Sequence, residues 1–175
     1  MVRELVESDF SDIEETFFNS FSAEEAPITF PVIKSLISEN TGTLNYCLGI
    51  ELEGKIVSAV GFSPVIFTTR SEISAYILAP LATHQSHQNK GLASKLIESA
   101  KAYFSDNNVD ALFVYGDPKY YERHGFSAEL GKHLIPPYPL EYEFGWQALM
   151  LNDTKISDKT LSFTCVDALS DAALW

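Results

Sequence analysis

The chain has 175 residues, 46% of them hydrophobic and 13% aromatic, with 24 acidic against 12 basic side chains and a formal charge of −12. That length suits a single domain over residues 1–175 with a sizeable core, and the composition excludes disordered, collagen-like and low-complexity chains. Residues 1–60 hold eleven acids and three bases (net −8), a field that disfavours a nucleic-acid partner and favours a cationic, amine-bearing one; a solvated acidic surface kept for solubility explains the same excess.

In chain order, residues 3–6 read as a short strand. Ser11-Asp12-Ile13-Glu14 forms a capping-box pattern, and Phe10, Ile13, Phe17 and Phe21 follow at helical spacing. Val32, Ile33, Leu36 and Ile37 predict a second helix, ending near Asn40 and Gly42. Two β-rich runs, 44–52 and 56–67, are joined by Glu53-Gly54-Lys55, a hairpin signal. The stretch 55–67 is nearly uncharged but carries Gly61 and Pro64, and it falls short of the ~18 apolar residues a membrane helix needs. The opening Met1-Val2-Arg3-Glu4-Leu5 lacks the apolar run of a secretory signal, so a cytoplasmic protein with no membrane partner is expected. A third strand is predicted over 72–83.

From Gln88 the period changes: Leu92, Leu96, Ala100 and Tyr103 form one stripe beside Ala93, Ile97 and Phe104, an amphipathic helix that ends at Ser105-Asp106-Asn107-Asn108. Residues 109–115 are apolar at nearly every position, as in a strand buried on both faces and placed mid-sheet. Asp117-Pro118 reads as an N-cap with proline at the first helical position, and Gly125 as a left-handed C-cap. Strands over 143–151 and 160–166 close the chain, and the rigid run Pro136-Pro137-Tyr138-Pro139 precedes them. This order implies a mixed sheet with helices packed on it. Cys47 and Cys165 are far apart and lack ligand-like spacing, so they read as reduced thiols. Trp175 reads either as a dimer contact or as a ring buried on the chain's own surface, so monomer and homodimer both stay open.

The chemistry concentrates between Leu81 and Ala93, where a strand runs through the polar loop His84-Gln85-Ser86-His87-Gln88-Asn89-Lys90 into a helix N-terminus. Free backbone N–H groups and the positive end of the helix dipole converge there, and Gly91 and Ala93 are small enough to admit a phosphate. Neither Gly-x-x-x-x-Gly-Lys-Ser/Thr nor Gly-x-Gly-x-x-Gly is present. His84 and His87 lack a third ligand nearby, so no metal is assigned.

Gln88-x-x-Gly91-x-Ala93 resembles the pyrophosphate loop of the GNAT superfamily of N-acetyltransferases, with Ala93 in place of the commoner glycine. Upstream, Ala79-Pro80-Leu81-Ala82-Thr83-His84 looks like that family's bulged strand; downstream, Tyr120-Tyr121-Glu122-Arg123-His124-Gly125-Phe126 looks like its Tyr-x-x-x-Gly-Phe signature. The resemblance covers most of the chain. It implies an α/β (mixed α+β) acyl-CoA N-acyltransferase fold, with a central, mixed, mostly antiparallel β-sheet flanked by helices. It also implies acetyl-CoA as co-substrate and transfer of acetyl to a primary amine by direct attack.

Carried over residue by residue, Leu81, Ala82 and Thr83 would offer backbone groups to the pantetheine arm and the acetyl carbonyl. Gln88, Asn89, Lys90, Gly91, Leu92 and Ala93 would hold the pyrophosphate, and Tyr121 would serve as general acid for the departing thiolate. A phenol near ~10 protonating a thiolate near ~8.5 is uphill unless the site perturbs one of them, so Tyr121 as a hydrogen bond to the sulfur, or as plain packing, stands beside that role. Glu72, His84 and Asp117 are candidates for the base that deprotonates the amine; for Asp117 the N-cap reading is favoured. The family often carries an asparagine after the buried strand, and here the short connection Gly116-Asp117-Pro118 takes its place. The alternative readings are a non-catalytic acyl-CoA-binding regulatory or sensor domain and acyl transfer from a carrier protein.

Overall fold

The computed structural model describes residues 1–39, 45–153 and 161–175. They form a mixed α/β fold with an open, mostly antiparallel sheet and flanking helices, and they group into two compact units. The first comprises Met1–Ser63, Ala79–Ala100 and Leu174; the second comprises Pro64–Leu78, Lys101–Ala173 and Trp175.

In the first unit, β1 (Val2–Glu4) pairs antiparallel with β2 (Tyr46–Leu52), and β2 with β3 (Lys55–Phe67). The expected hairpin is present, but it is tighter than the connection Glu53-Gly54-Lys55 suggests: Glu53 and Gly54 turn it with φ of 52° and 79°, the two left-handed residues that a tight hairpin turn demands, and Lys55 already pairs with Leu52 as the first residue of β3. Helix α1 (Phe10–Phe18) begins one residue before Ser11, so the capping box expected over residues 11–14 lies inside the helix rather than at its start. Asp9 organises the entry instead. Its carboxylate accepts the Val6 N–H at 2.9 Å and the two terminal guanidinium nitrogens of Arg3, Nη1 and Nη2, at 2.8 Å, while Arg3 Nε donates to Glu51 at 2.8 Å.

Ile13 and Phe17 are fully buried, and the Thr16 hydroxyl donates to the Ile56 carbonyl at 2.6 Å. Phe21 falls beyond the helix end, yet its ring still meets Phe17 at 5.6 Å. Helix α2 (Ala26–Ser38) starts with Pro27 in its first turn, where no N–H is needed, and buries Val32, Ile33, Leu36 and Ile37 as their spacing predicts. Its expected end at Asn40 and Gly42 lies outside the described residues, as do Leu44 and Thr160, the first residues of two predicted strands.

In the second unit, residues 75–78 of β4 (Ala75–Thr83) pair parallel with β5 (Ala111–Tyr115), which pairs antiparallel with β7 (Trp146–Met150). With a strand on each side, β5 is buried at Ala111, Leu112, Phe113 and Val114, which is why its sequence is apolar without alternation. The Tyr76 ring packs, tilted by 36°, against Phe104 of α3 (Leu92–Asp106), with the ring centres 4.5 Å apart. The opposite face of β5 carries an aromatic cluster: Phe113 lies 6.1 Å from Phe67, 5.6 Å from Phe163 and 5.9 Å from Trp146. Phe163 belongs to β8 (Leu161–Thr164), which pairs with the end of β3 and with β6 (Leu134–Ile135).

Trp175 caps this cluster, 5.9 Å from Trp146, with its indole N–H on the Leu169 carbonyl at 3.0 Å. Its ring is therefore accounted for by the chain's own surface. The short helices α4 (Pro118–Tyr121) and α5 (Ala128–Gly131) complete the unit; α5 and β6, four and two residues long, fall below the length at which a periodic pattern shows. Burial pushes both thiols, Cys47 and Cys165, up to about 12, which keeps them protonated and unreactive. Among the described residues no helix is long and apolar enough to cross a membrane.

Candidate active site

The sequence-predicted residues fall in both units. The first unit holds Leu81, Ala82, Thr83, His84 and Gln88 to Ala93, and the second holds Glu72, Asp117 and Tyr121.

In the first unit the end of β4 is pinned by side chains. Ser58 Oγ donates to the carbonyl of the buried Ala82 at 3.0 Å and meets the Thr83 hydroxyl at 2.8 Å. The Gln88 amide donates to the Thr83 carbonyl at 3.1 Å, closing the loop back on the strand. The His84 N–H donates to Val57 at 2.9 Å, while its ring Nδ1 accepts the Ser86 N–H at 3.2 Å. A 3₁₀ turn, Gln85–His87, follows, and the Lys90 ammonium donates to the Ser86 carbonyl at 2.9 Å, which holds the loop in shape as well as lending it charge.

The backbone then takes two left-handed steps, Asn89 at φ 60° and Gly91 at φ 75°, before α3 begins. A Cβ at Gly91 would meet nothing within 4 Å, so the glycine is needed for its φ and for the open approach it leaves, not for packing. The Lys95 amide, one turn into the helix, donates to the Gly91 carbonyl at 3.0 Å. Among the described residues, the N–H groups of Asn89, Lys90, Gly91, Leu92 and Ala93 donate to no protein acceptor. Five free donors at the positive end of a four-turn helix form an anion cradle.

In the second unit, Asp117 caps α4 by accepting the Lys119 N–H at 2.9 Å, and Gly125 at φ 92° ends the following turn, as the sequence predicts for both. That cap occupies the Asp117 carboxylate and leaves it poorly placed as a base. Tyr121 packs edge-on to Tyr120 at 5.0 Å and to Phe126 at 5.8 Å. Its ring lies over Gly116 so closely that a Cβ there would sit 2.5 Å from Cε2; the glycine that follows β5 is what admits the tyrosine. Burial raises the Tyr121 phenol above its ordinary value, with a smaller push from Tyr120. Glu72 is exposed and ion-paired with Arg70, and the Arg70 side chain lowers its carboxyl below the usual range, which makes it a weaker base than a free glutamate.

Two residues without a local sequence signal also shape this region. Gln147 is fully buried; its Nε2 donates to the carbonyls of Gly116 at 3.2 Å and Gly145 at 3.3 Å, tying the end of β5 to the start of β7. Arg123 stacks over Tyr120 at 4.2 Å, and the Tyr120 hydroxyl is buried with no hydrogen-bond partner among the described residues.

Residues 1–128 match the family model of the GNAT acetyltransferase domain. The chain is 31% identical over 139 residues to the Escherichia coli protein named uncharacterized N-acetyltransferase YjhQ, spanning 78% of this chain and 75% of that one. It is 29% identical over 97 residues to the Bacillus subtilis protein named uncharacterized N-acetyltransferase YitI, spanning 55% of this chain and 63% of that one. Among solved structures, the Escherichia coli GNAT family N-acetyltransferase YhbS in complex with CoA superposes with a TM-score of 0.84 at 23% identity, covering 99% of this chain and 93% of the other. A Brucella melitensis GNAT family acetyltransferase in complex with acetyl-CoA gives a TM-score of 0.73 at 20% identity, covering 96% of both chains; at these identities the two likenesses speak for the fold. By its family match and its relatives, this chain belongs to the GNAT family of acetyltransferases.

Proposed function

We propose that the chain transfers the acetyl group of acetyl-CoA to a primary amine. The observation that carries this reading is the row of five unpartnered amides at residues 89–93, opened by the left-handed Gly91 at the start of α3. That cradle suits a pyrophosphate and needs no side-chain charge to do so. The side-chain donors on the Ala82 and Thr83 carbonyls fix the end of the strand along which the pantetheine arm would lie. Structural neighbours crystallised with CoA and with acetyl-CoA support the choice of co-substrate.

The neutral amine attacks the thioester carbonyl carbon; a C–N bond forms, the C–S bond breaks, one proton leaves the nitrogen and one goes to the sulfur. A strand amide such as that of Ala82 stabilises the oxyanion. Tyr121, its phenol raised by burial, stays protonated throughout the neutral range and lends a hydrogen bond to the departing sulfur. Full transfer of its proton to a thiolate near ~8.5 would be more uphill than from an ordinary phenol. His84 is the better placed of the base candidates, because its Nδ1 faces Ser86 and leaves Nε2 unengaged, whereas Glu72 is held by Arg70. The acceptor is a small cationic amine or a protein amino group, drawn by the net −8 of residues 1–60.

Release of free thiol from acetyl-CoA on addition of amines tests the reading. A polyamine, an aminoglycoside, a lysine peptide and an arylalkylamine form the panel. Turnover with one of them, lowered about 10- to 100-fold in kcat by Tyr121→Phe with the acetyl-CoA dissociation constant unchanged, is the expected result. Coenzyme binding without turnover on any amine would mark a coenzyme-binding regulatory module instead.

A further inference from the structure

The second unit contains a cavity of about 550 Å³, within the range of small-molecule sites. Its walls are apolar: Leu134, Pro136, Tyr138 and Trp146 line it, and the proline run that the sequence marks as rigid forms one side. Two charged residues stand among them. Lys132 is ion-paired with Glu129, which neutralises it. Glu143, at the start of the turn that leads into β7, accepts the Trp146 N–H on its backbone carbonyl, while its exposed carboxylate has no hydrogen-bond or ion-pair partner among the described residues. The one uncompensated charge on the lining is therefore negative.

The cavity also shares a support with Tyr121. Trp146 pairs with Tyr115 across β5 and β7, the Tyr115 hydroxyl accepts the Tyr142 N–H at 3.0 Å, and Gly116, the residue under the Tyr121 ring, donates its N–H to Gly145 at 2.9 Å. One strand end thus carries the tyrosine and the wall of the cavity.

Resting on the acetyltransferase reading above, we propose that this cavity selects the acceptor: a primary amine with an aromatic or branched aliphatic body, its ammonium held by Glu143 and its body against Trp146, Leu134 and Tyr138. A polyamine is a poorer match, since the walls offer no second unpaired carboxylate for a second ammonium. A carboxylic acid of the same shape is opposed by Glu143. The bound amine gives up its ammonium proton to solvent or base and becomes the nucleophile for the thioester, with the bond changes given above.

The two tryptophans of the chain, Trp146 on the wall and Trp175 at 5.9 Å from it, make intrinsic fluorescence a local reporter. Phenethylamine, spermidine and phenylacetate are titrated into the wild type and into Glu143→Gln, an isosteric change at an exposed position. A saturable emission change with phenethylamine is expected, weakened about tenfold by Glu143→Gln and at least that much weaker for the other two ligands, the scale of one charge-assisted contact. Thiol release from acetyl-CoA with phenethylamine should show a KM raised to the same extent in the variant. No saturable change, equal affinity in the variant, equal affinity for phenylacetate, or binding of phenethylamine without thiol release each overturns the assignment. Acetyl-CoA titration of the same samples keeps the two readings apart. If the coenzyme binds and another amine is acetylated while phenethylamine fails, only the cavity assignment falls.

Discussion

The loop at residues 88–93 and the cavity around residues 128–146 encode function in different ways. In the loop the chemistry belongs to the backbone: five N–H groups point free because Asn89 and Gly91 take left-handed steps and α3 starts where it does. Glycine spacing and a change of hydrophobic period announce such an arrangement, so it can be read along the chain. In the cavity the chemistry belongs to side chains from a four-residue helix, a two-residue strand, a proline run and the first residue of β7. Only folding assembles them, and no spacing between Lys132, Glu143 and Trp146 foretells that they line one space. Backbone sites are local in sequence; side-chain sites are local only in space.

The largest effect that would sharpen this contrast is expected at Gly116, a glycine whose role is contact rather than conformation. Gly116→Ala places a methyl 2.5 Å from the Tyr121 ring, so the ring or the end of β5 must shift. A loss of about 1–3 kcal/mol of stability in urea unfolding is expected, together with a fall in kcat of about tenfold. Unchanged stability and turnover would show that Tyr121 is not held against this residue.

An effect on stability alone, without the loss of turnover, is expected at Asp9, where a side-chain network replaces the capping box that the local sequence suggests. Asp9→Asn should cost about 1–3 kcal/mol at pH 7, because it removes a charge-assisted pair with Arg3 at a nearly buried position. The Arg3 guanidinium holds the Asp9 carboxyl below its ordinary value. Its contribution is therefore complete above the unfolded value near ~3.9 and is lost as pH falls through the lower folded value. The gap between the urea midpoints of the wild type and the variant should accordingly narrow as the pH falls below the ordinary carboxylate value, and a gap that stays constant there would mean that packing, not charge, sets the Asp9 contribution.

Much of the fold was legible for the same reasons as the loop. The apolar stripe of α3, the unalternating β5, the hairpin signalled by Glu53-Gly54-Lys55 and the Asp117 cap with its following proline each have a local cause, and the structure has each, the hairpin with Lys55 drawn into the strand. What escaped the sequence had causes at a distance. The entry to α1 depends on Arg3 and Glu51, and 48 residues separate those two. Trp175 finds its place through Trp146 and Leu169, which no pattern near the end of the chain reveals. Within the site, Gln147 looked like one polar residue in an apolar strand, and its tie between Gly116 and Gly145 exists only because β7 lies beside β5. The Arg70–Glu72 ion pair follows the same line: both residues stand in the sequence, but only geometry shows the pair closed.

Calorimetric titration with acetyl-CoA of the wild type and of Gly91→Glu, with melting temperatures recorded for both, tests the central claim most directly. The position has open space for a side chain, so the substitution adds a carboxylate and backbone strain to the cradle without a packing clash. The account predicts saturable binding by the wild type and a loss of at least about 100-fold in Gly91→Glu, with both proteins folded. Equal binding by both proteins, or binding by neither, would contradict the assignment of the coenzyme to the amides of residues 89–93.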